Sequence, residues 1–156
     1  MLNKVDFPLT TSQISEFVLD KGYTSYFRLQ EALSDLAQSD LIRPETTHNR
    51  TLYHLTENGA ETILYFSNKI SPAIRKDIDD FLKEKQYDLK EEASVKSDYY
   101  LNTNREYEVR CQIEENGSSL IDLKLTVPTE KEAEAIVSHW NTNSQEIYTL
   151  LLSNLL

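Results

Sequence analysis

The stretch "YTSYFRLQEALSDLAQSDLI", residues 23–42, decides how the N-terminal half of this chain folds. Its apolar residues recur at helical spacing, and its polar residues fall mostly on the opposite side. The pattern predicts an amphipathic helix from Thr24, the expected N-cap, to Gln38, with the apolar stripe buried and Arg28 and its neighbours in solvent. The stripe consists of Phe27, Leu29, Leu33, Leu36 and Ala37, and the polar side of Ser25, Arg28, Glu31, Asp35 and Gln38.

A shorter helix precedes this stretch and a ribbon follows it. In "FPLTTSQISEFVLDKG", Thr10 and Gln13 form a capping-box signal before a run with helical apolar spacing, and Gly22 ends the helix. In "LIRPETTHNRTLYHLTENG", extended-type residues lie on both sides of the polar positions 46–50. This second segment predicts a two-stranded ribbon with a solvated tip.

A third helix completes the N-terminal pattern. Thr56 is its expected cap, and Ile63, Leu64 and Phe66 are the apolar residues available for packing. Helix, turn, helix, ribbon, helix is the order of a winged helix-turn-helix domain. We therefore expect such a domain at residues 1–66.

A longer helix is expected next, as a linker over residues 67–93. Ser71 is a good N-cap, Pro72 suits the first helical position, and apolar residues then recur near helical period. The polar residues 91–96 are expected to form a boundary. The remainder, 94–156, is interpreted as a domain for dimerisation or effector sensing.

From Val95 onward the apolar period changes from 3.6 to 2. Three strands are expected, at 95–101, around 107–114 and around 120–127, with their odd-numbered apolar residues on one face. A three-residue loop from Glu115 to Gly117, with Gly117 left-handed, would set Cys111 opposite Ile121 and Val109 opposite Leu123. A two-residue loop would place the apolar residues of the two strands on different faces.

The apolar face of such a sheet needs a cover, and the sequence after it is helical. Thr129 with Glu132 forms a capping box, and Asn143 with Glu146 predicts the start of a second helix. The final "IYTLLLSNLL" is apolar on most sides, so it is either buried or half of a subunit interface. The expected fold class is α+β: an N-terminal winged helix-turn-helix, then an antiparallel three-stranded sheet covered by helices.

The function favoured by this reading is a DNA-binding transcriptional regulator that acts as a homodimer on double-stranded DNA. The second helix would enter the major groove, and the ribbon would touch the backbone or minor groove. The candidate contact residues are Ser25, Tyr26, Arg28, Gln30, His48, Asn49 and Arg50.

The charge of the chain argues against this function. There are 26 acidic residues against 16 basic ones, a net charge of -10, and residues 1–66 alone hold nine acidic and five basic side chains. Such a field repels phosphates. A dimer can compensate through avidity, and the alternative is an acidic winged-helix module that binds proteins rather than DNA.

Other chemistry finds little support. His48, His54 and His139 are isolated, the single Cys111 falls on an apolar strand face, and three glycines cannot form a phosphate-binding loop. We expect no catalysis, no metal site and no cofactor. No apolar run is long enough for a membrane span or a signal peptide, so a cytoplasmic location is expected. Four aromatic residues of the C-terminal half, Tyr99, Tyr107, Trp140 and Tyr148, are a candidate pocket for a small-molecule effector.

Three segments of the chain resemble a known bacterial family. They are "VDFPLTTSQISEFVLDKGYTSYFRLQEALSDLAQSDLI", "YHLTENGAETI" and "LIDLKLTVPTEKEAEAIVSHWNTNSQEIYTLLLSNL". The family is domain of unknown function 4364, found mainly in Gram-positive species, and the similarity covers almost the whole chain. It implies an N-terminal half similar to winged-helix regulators and a C-terminal α+β half without an assigned role.

The chain departs from the family pattern at its start. A winged helix normally begins with a helix of ten or more residues before the "FPLT" segment, whereas only Met1 to Val5 precede it here. Either that helix is missing from this sequence or another element fills its groove. The apolar segment from Glu146 to Leu155, or its copy from a partner subunit, is the candidate.

Overall fold

The computed structural model describes residues 1–115 and 118–156. The fold is α+β, as predicted, with two antiparallel three-stranded sheets. The chain forms two compact units: unit 1 comprises residues 1–46 and 50–93, and unit 2 comprises residues 47–49 and 94–156. The elements are β1 Leu9–Thr10, α1 Thr11–Asp20, α2 Tyr26–Gln38, β2 Ile42–Thr46, β3 Thr51–Leu55, α3 Glu57–Phe66, α4 Pro72–Ser94, β4 Val95–Leu101, β5 Tyr107–Glu115, β6 Ser118–Val127 and α5 Glu130–Leu155.

Helix α1 begins at the capping box that the sequence predicted. The Gln13 backbone N–H donates to Thr10 Oγ1 over 3.1 Å, and the Thr10 N–H donates to Gln13 Oε1 over 2.9 Å. Both residues are buried. Gly22 follows the helix with φ +66°, a left-handed conformation that suits glycine.

Helix α2 differs from the prediction in its start and in its buried face. It begins at Tyr26 after the N-cap Ser25, not after Thr24. Leu29 and Leu33 are buried, but Phe27 is 84% exposed. The reason is geometric, because two residues span about 200° of a helix and Phe27 therefore lies opposite Leu29.

Leu36 is also more exposed than predicted, for a different reason. It lies on the same stripe as Leu29 and Leu33, yet its side chain is 38% exposed. Leu36 lines an open groove in unit 1. The prediction that Phe27 and Leu36 are both buried is therefore wrong.

The predicted ribbon is present as β2 and β3. Ile42 pairs with Leu55 and Thr46 with Thr51, and β1 pairs on the other side of β3 to give the order β1-β3-β2. Leu52 is almost completely buried on β3. The sheet closes one side of the unit 1 core.

Helix α3 begins as expected, since Thr56 Oγ1 accepts the Gly59 N–H over 3.0 Å. Its predicted packing residues are less buried than expected. Leu64 is 71% and Phe66 51% exposed, and only Ile63 of the three is half-buried. The end of α3 therefore presents apolar side chains to solvent.

Helix α4 belongs to unit 1 and begins at Pro72, where Ser71 Oγ accepts the Ile74 N–H over 3.2 Å. Its buried residues Ile78, Leu82 and Leu89 form a core cluster with Phe17 of α1. The boundary expected at residues 91–96 coincides with the division between the two units, which falls between Ala93 and Ser94, although α4 continues to Ser94 and β4 starts at the next residue without a loop.

The second sheet has the order β4-β5-β6 and lies in unit 2. The prediction that the apolar residues of β5 and β6 share a face is confirmed, but the predicted register is wrong by two residues. Cys111 pairs with Leu123, and Val109 pairs with Leu125. Glu115 pairs with Ser118, and a shift next to Ile113 then restores the odd-to-odd pairing. A bulge, rather than a three-residue loop, thus brings the apolar residues of β5 and β6 onto the same face. The predicted conformation of Gly117 lies outside the described residues.

One helix, α5, covers this sheet, where two were predicted. Its capping box is the expected one, with Thr129 Oγ1 accepting the Glu132 N–H. The start signal at Asn143 and Glu146 falls inside the helix, because no glycine or proline interrupts residues 130–155. Ala133, Val137 and Trp140 are buried against the sheet, in a cluster with Val109, Cys111 and Ile113.

Candidate nucleic-acid interface

The first turn of α2 is an exposed surface with mixed chemistry. Ser25, Tyr26 and Arg28 are all exposed, whereas Gln30 is half-buried. Tyr26 and Phe27 are 52% and 84% exposed, with ring centroids 6.0 Å apart in an edge-on arrangement. Serine, tyrosine and arginine at a helix N-terminus are able to contact phosphates and base edges. Three of the seven predicted contact residues, Tyr26, Arg28 and Gln30, thus lie on α2, and Ser25 is its N-cap.

The charge of α2 is close to neutral. Arg28 is its single cation, and Glu31 and Asp35 are also exposed. A helix of this composition attracts a phosphate only near Arg28. Any attraction between a charged side chain of α2 and a phosphate would therefore come from this one guanidinium.

Arg50, also predicted to contact DNA, is engaged within unit 1. Its Nη1 donates to the backbone carbonyl of Glu92 over 2.7 Å. Burial lowers the pKa of its guanidinium, an effect that the carboxylates of Glu92 and Glu45 oppose. Arg50 therefore serves the fold of unit 1 rather than an exposed cationic surface.

His48 and Asn49 belong to unit 2 and also have partners there. His48 Nδ1 pairs with a carboxylate oxygen of Asp98, and its ring stacks on Tyr99 with centroids 4.0 Å apart. Asn49 Oδ1 accepts the hydroxyl of Thr47 over 2.8 Å. All three positions, His48 to Arg50, make intramolecular contacts, although His48 and Asn49 are exposed and only Arg50 is half-buried.

The tyrosine just before α2 was not among the predicted site residues. Tyr23 donates its hydroxyl to Asp77 Oδ2 of α4 over 2.5 Å, and Lys21 Nζ lies 3.4 Å from the same carboxylate. The hydrogen bond raises the pKa of Tyr23 and lowers that of Asp77. This contact anchors the turn between α1 and α2 on α4. A local sequence pattern could not reveal it, since the partners are far apart in the chain.

An apolar groove of about 330 Å³ lies on unit 1 beside α2 and α3. Its lining includes Met1, Leu36 and Phe66, and the described residues around it contribute no charged side chain. Such a surface favours apolar contacts, and its described lining offers no titratable side chain. Met1 and Leu2 also lie in this region. The segment proposed from the sequence to fill it, Glu146 to Leu155, is the end of α5 in unit 2.

The four aromatic residues proposed as an effector pocket lie in or against the core of unit 2. Tyr99 and Trp140 are buried, and Tyr107 and Tyr148 pack against the same cluster. Trp140 Nε1 donates to the carbonyl of Gln112 over 3.3 Å. Their rings are therefore occupied by packing and by each other, as with Tyr99 and Tyr107, whose centroids are 6.1 Å apart.

The described part of the chain offers no site for metal or thiol chemistry. No group of three or more histidine, cysteine or carboxylate side chains is arranged to hold a metal ion among residues 1–115 and 118–156. Burial raises the pKa of the Cys111 thiol to about 11, which leaves it protonated at neutral pH. Among the described helices, none has the length and apolar character required to cross a membrane.

The fold and this surface define an α+β protein with a helix pair and a hairpin at its N-terminus. The chain belongs to the family described as a domain of unknown function (DUF4364), whose match spans residues 1–155, as the sequence resemblance predicted. Comparison with curated proteins and with solved structures gave no match.

Proposed function

We propose that this protein is a transcriptional regulator of the winged helix-turn-helix type, which binds double-stranded DNA as a homodimer. The observation that carries the proposal is the arrangement in unit 1. A tightly joined helix pair, α1 and α2, is followed by the hairpin of β2 and β3, and the sheet order is β1-β3-β2. In winged helices the second helix of such a pair reads the major groove.

In this mechanism the first turn of α2 approaches the DNA. Ser25 and Arg28 bind phosphates or base edges, and the exposed rings of Tyr26 and Phe27 contact apolar groups such as thymine methyls. Leu29 and Leu33 hold the helix on the core from its other side. The residues His48 to Arg50 are not needed for this contact.

Because the chain is acidic and offers few cations to phosphates, we expect its affinity for DNA to be low and only weakly dependent on salt. Each phosphate contact contributes about 0.9 to the slope of log affinity against log salt. Arg28 and the exposed Arg43 of β2 supply two candidate contacts per copy, so a dimer should show a slope of only about 2 to 4. Binding by a single copy should be weak, and two copies on adjacent half-sites should bind by avidity.

Fluorescence anisotropy tests this function. Short labelled duplexes that tile the DNA upstream of the protein's own gene are titrated at low salt, beside a random-sequence duplex. We expect one upstream duplex to bind more tightly than the random one. Arg28→Ala should weaken that binding at least about fivefold, since a phosphate or bidentate base contact contributes roughly 1–3 kcal/mol.

Lys131→Ala is the matched control, because it removes an exposed cation of α5 in unit 2 and should leave the affinity unchanged. Equal weakening by both variants would mean that only the net charge of the protein matters. Equal affinity of Arg28→Ala and the parent protein would rule out α2 as the DNA contact.

A second candidate function is docking of another protein on the same surface. It is favoured by the exposed rings of Tyr23, Tyr26 and Phe27, since aromatic residues with arginine dominate protein interfaces. A photo-crosslinking amino acid at position 27, activated in cells, distinguishes the two. Adducts with DNA support the regulator, and one defined protein adduct that Tyr26→Ala abolishes supports docking.

A further inference from the structure

Strand β6 lies at an edge of the unit 2 sheet. It pairs with β5 on one side only, within the part of the chain that the structure describes. The strand is ten residues long, Ser118–Val127, which is long for an unprotected edge. An edge of this length exposes a row of backbone donors and acceptors that can pair with another strand.

The apolar row of β6 is also incompletely covered. On β5, Val109, Cys111 and Ile113 are at most 2% exposed. On the same face of β6, Leu125 is 44% exposed and Leu123 is only half-buried. The sheet therefore loses its cover toward β6.

The contacts of α5 explain this difference. Trp140 of α5 donates to the carbonyl of Gln112 on β5. Asn141 Oδ1 accepts the Ser97 hydroxyl of β4 over 3.0 Å, and Glu130 Oε1 accepts the Tyr99 hydroxyl of β4 over 3.5 Å. These bonds fix α5 over β4 and β5. The row on β6 has the character of an interface rather than of a finished core.

The polar face of β6 carries two opposite charges, Asp122 and Lys124. Lys124 lies directly opposite Arg110 of β5, a like-charge pair that is unfavourable across strands. Each cation forms a salt bridge with a diagonally placed carboxylate: Arg110 with Asp122 over 2.6 Å, and Lys124 with Glu108 over 3.0 Å. A carboxylate on the free side of Lys124 would stabilise it further.

We propose that β6 pairs antiparallel with β6 of a second copy, about a two-fold axis at Leu123. The two sheets then join into one of six strands. In this register Asp122 faces Lys124 of the partner subunit on one side of the sheet, and each Ile121 faces Leu125 of the partner subunit on the other. Opposite charges and apolar residues are matched at the same time.

The neighbouring registers do not match. Centring the axis on Asp122 puts two carboxylates face to face, and centring it on Lys124 puts two ammonium groups face to face. An axis that passes between two residues of β6 would pair odd-numbered positions with even-numbered ones. Because side chains alternate between the two faces of the sheet, apolar residues of one copy would then lie opposite charged residues of the other. Only the Leu123 axis sets Asp122 opposite Lys124 of the partner subunit, so the charges of β6 favour this register.

This interface would form the homodimer that the proposed function requires. The pairing of β6 is argued from β6 itself, and only the role of the dimer rests on the proposed function. It uses residues of unit 2 alone, so the first turn of α2 takes no part in it. An isologous pairing of this kind closes on itself, so it yields dimers rather than filaments.

Cysteine cross-linking tests the register. Leu123→Cys is made in a Cys111→Ala background, because Cys111 is the chain's single cysteine and pairs with position 123 within the chain. Directly opposite residues of an antiparallel pair have Cα atoms about 4.5–5.5 Å apart, a distance that a disulfide spans. Under mild oxidation, Leu123→Cys should form a disulfide-linked dimer.

The control is Leu125→Cys in the same background, on the same face and strand. In the proposed register its two copies lie four residues apart, about 13 Å, too far for a disulfide. A linked dimer with position 123 and none with position 125 supports the register. Equal linking at both positions, or none at 123, overturns it.

Sedimentation of the unmodified chain supplies a test without cysteines. We expect a dimer that Lys124→Glu weakens about tenfold or more, because the introduced carboxylate would face Asp122 of the partner subunit at two places. Within its own chain the same carboxylate would lose the ion pair with Glu108 but face Arg110, and these exposed charges have opposing effects, so the fold should persist. Lys131→Glu makes the same charge change on α5 and should leave the dimer intact.

The outcomes separate this proposal from the proposed function. A monomeric parent protein, or equal weakening by both glutamate variants, overturns the β6 interface even if DNA is bound. A dimer that behaves as expected but binds no DNA retains the interface and removes the regulator function.

Discussion

Gly59 of α3 is a position where a single added methyl group should destabilise unit 1. A Cβ built on Gly59 would lie 2.0 Å from the carbonyl oxygen of Leu41 and 2.9 Å from Cδ1 of Leu55. The first distance is far below any van der Waals contact, and the obstacle is backbone that cannot rotate away. The same Leu41 oxygen accepts the Thr56 N–H over 3.3 Å.

The expected size of the effect follows from three contributions. Alanine is a better helix former than glycine by about 1 kcal/mol, which would stabilise Gly59→Ala. Overpacking against a fixed group costs roughly 1–3 kcal/mol, and displacing Leu41 to relieve it costs about 1 kcal/mol more for the strained hydrogen bond to Thr56. The clash therefore outweighs the propensity, and we expect a net loss of about 2 kcal/mol in the free energy of unfolding.

Urea unfolding followed by circular dichroism measures this loss, with Gly22→Ala as the control. Gly22 has φ +66° and no described atom within 4 Å of a built Cβ, so its substitution costs only backbone strain, about 1 kcal/mol. Gly59→Ala should unfold at lower urea than Gly22→Ala. If Gly59→Ala is as stable as the parent protein, α3 does not pack closely against Leu41.

Two further predictions concern the core of unit 2. Trp140→Ala should lower the free energy of unfolding by about 3–5 kcal/mol, and Trp140→Phe by less, because Phe keeps much of the ring and loses the bond to the Gln112 carbonyl; thermal unfolding of both variants checks the order. Cys111 should resist thiol reagents at pH 8 in the folded protein and react once urea is added, and labelling at lower urea than unfolding would contradict its burial. Folding raises the pKa of the Cys111 thiol from 9.0 to about 11. The protonated thiol therefore favours the folded state fully below pH 9. This contribution, up to roughly 3 kcal/mol, is lost as the pH rises from 9 to 11.

Local signals in the sequence predicted most of the elements. The capping boxes at Thr10 and Thr129 and the cap at Thr56 all mark helix starts in the structure. These signals involve residues three positions apart, so a local pattern is enough to predict them. Alternation with period 2 predicted β4, β5 and β6 for the same reason.

The errors arise where distant residues decide the outcome. Phe27 was assigned to a buried stripe by hydrophobicity, although the burial of Leu29 and Leu33 turns it outward. The register of β5 and β6 depends on a bulge that no composition signals. A helix start signal at Asn143 falls inside α5, where Trp140 and Ser144 on either side of it are buried.

The candidate site shows the same limit. Exposure of Ser25, Tyr26 and Arg28 followed from helical periodicity alone. The partners of His48 and Arg50 did not, because Asp98 and Glu92 lie more than forty residues away in sequence. A sequence pattern can predict that basic residues lie near a hairpin tip. It does not show which of them are already bonded to distant residues of the same chain.

The most direct test of the central claim, that α2 is the DNA-contacting element, is a nitrogen-15 NMR titration of the full chain with the duplex that binds best. We expect the backbone signals of residues 25–28 to shift or broaden first, with those of β4 and β5 unchanged. Binding that leaves residues 25–28 unperturbed and shifts signals elsewhere would contradict the claim.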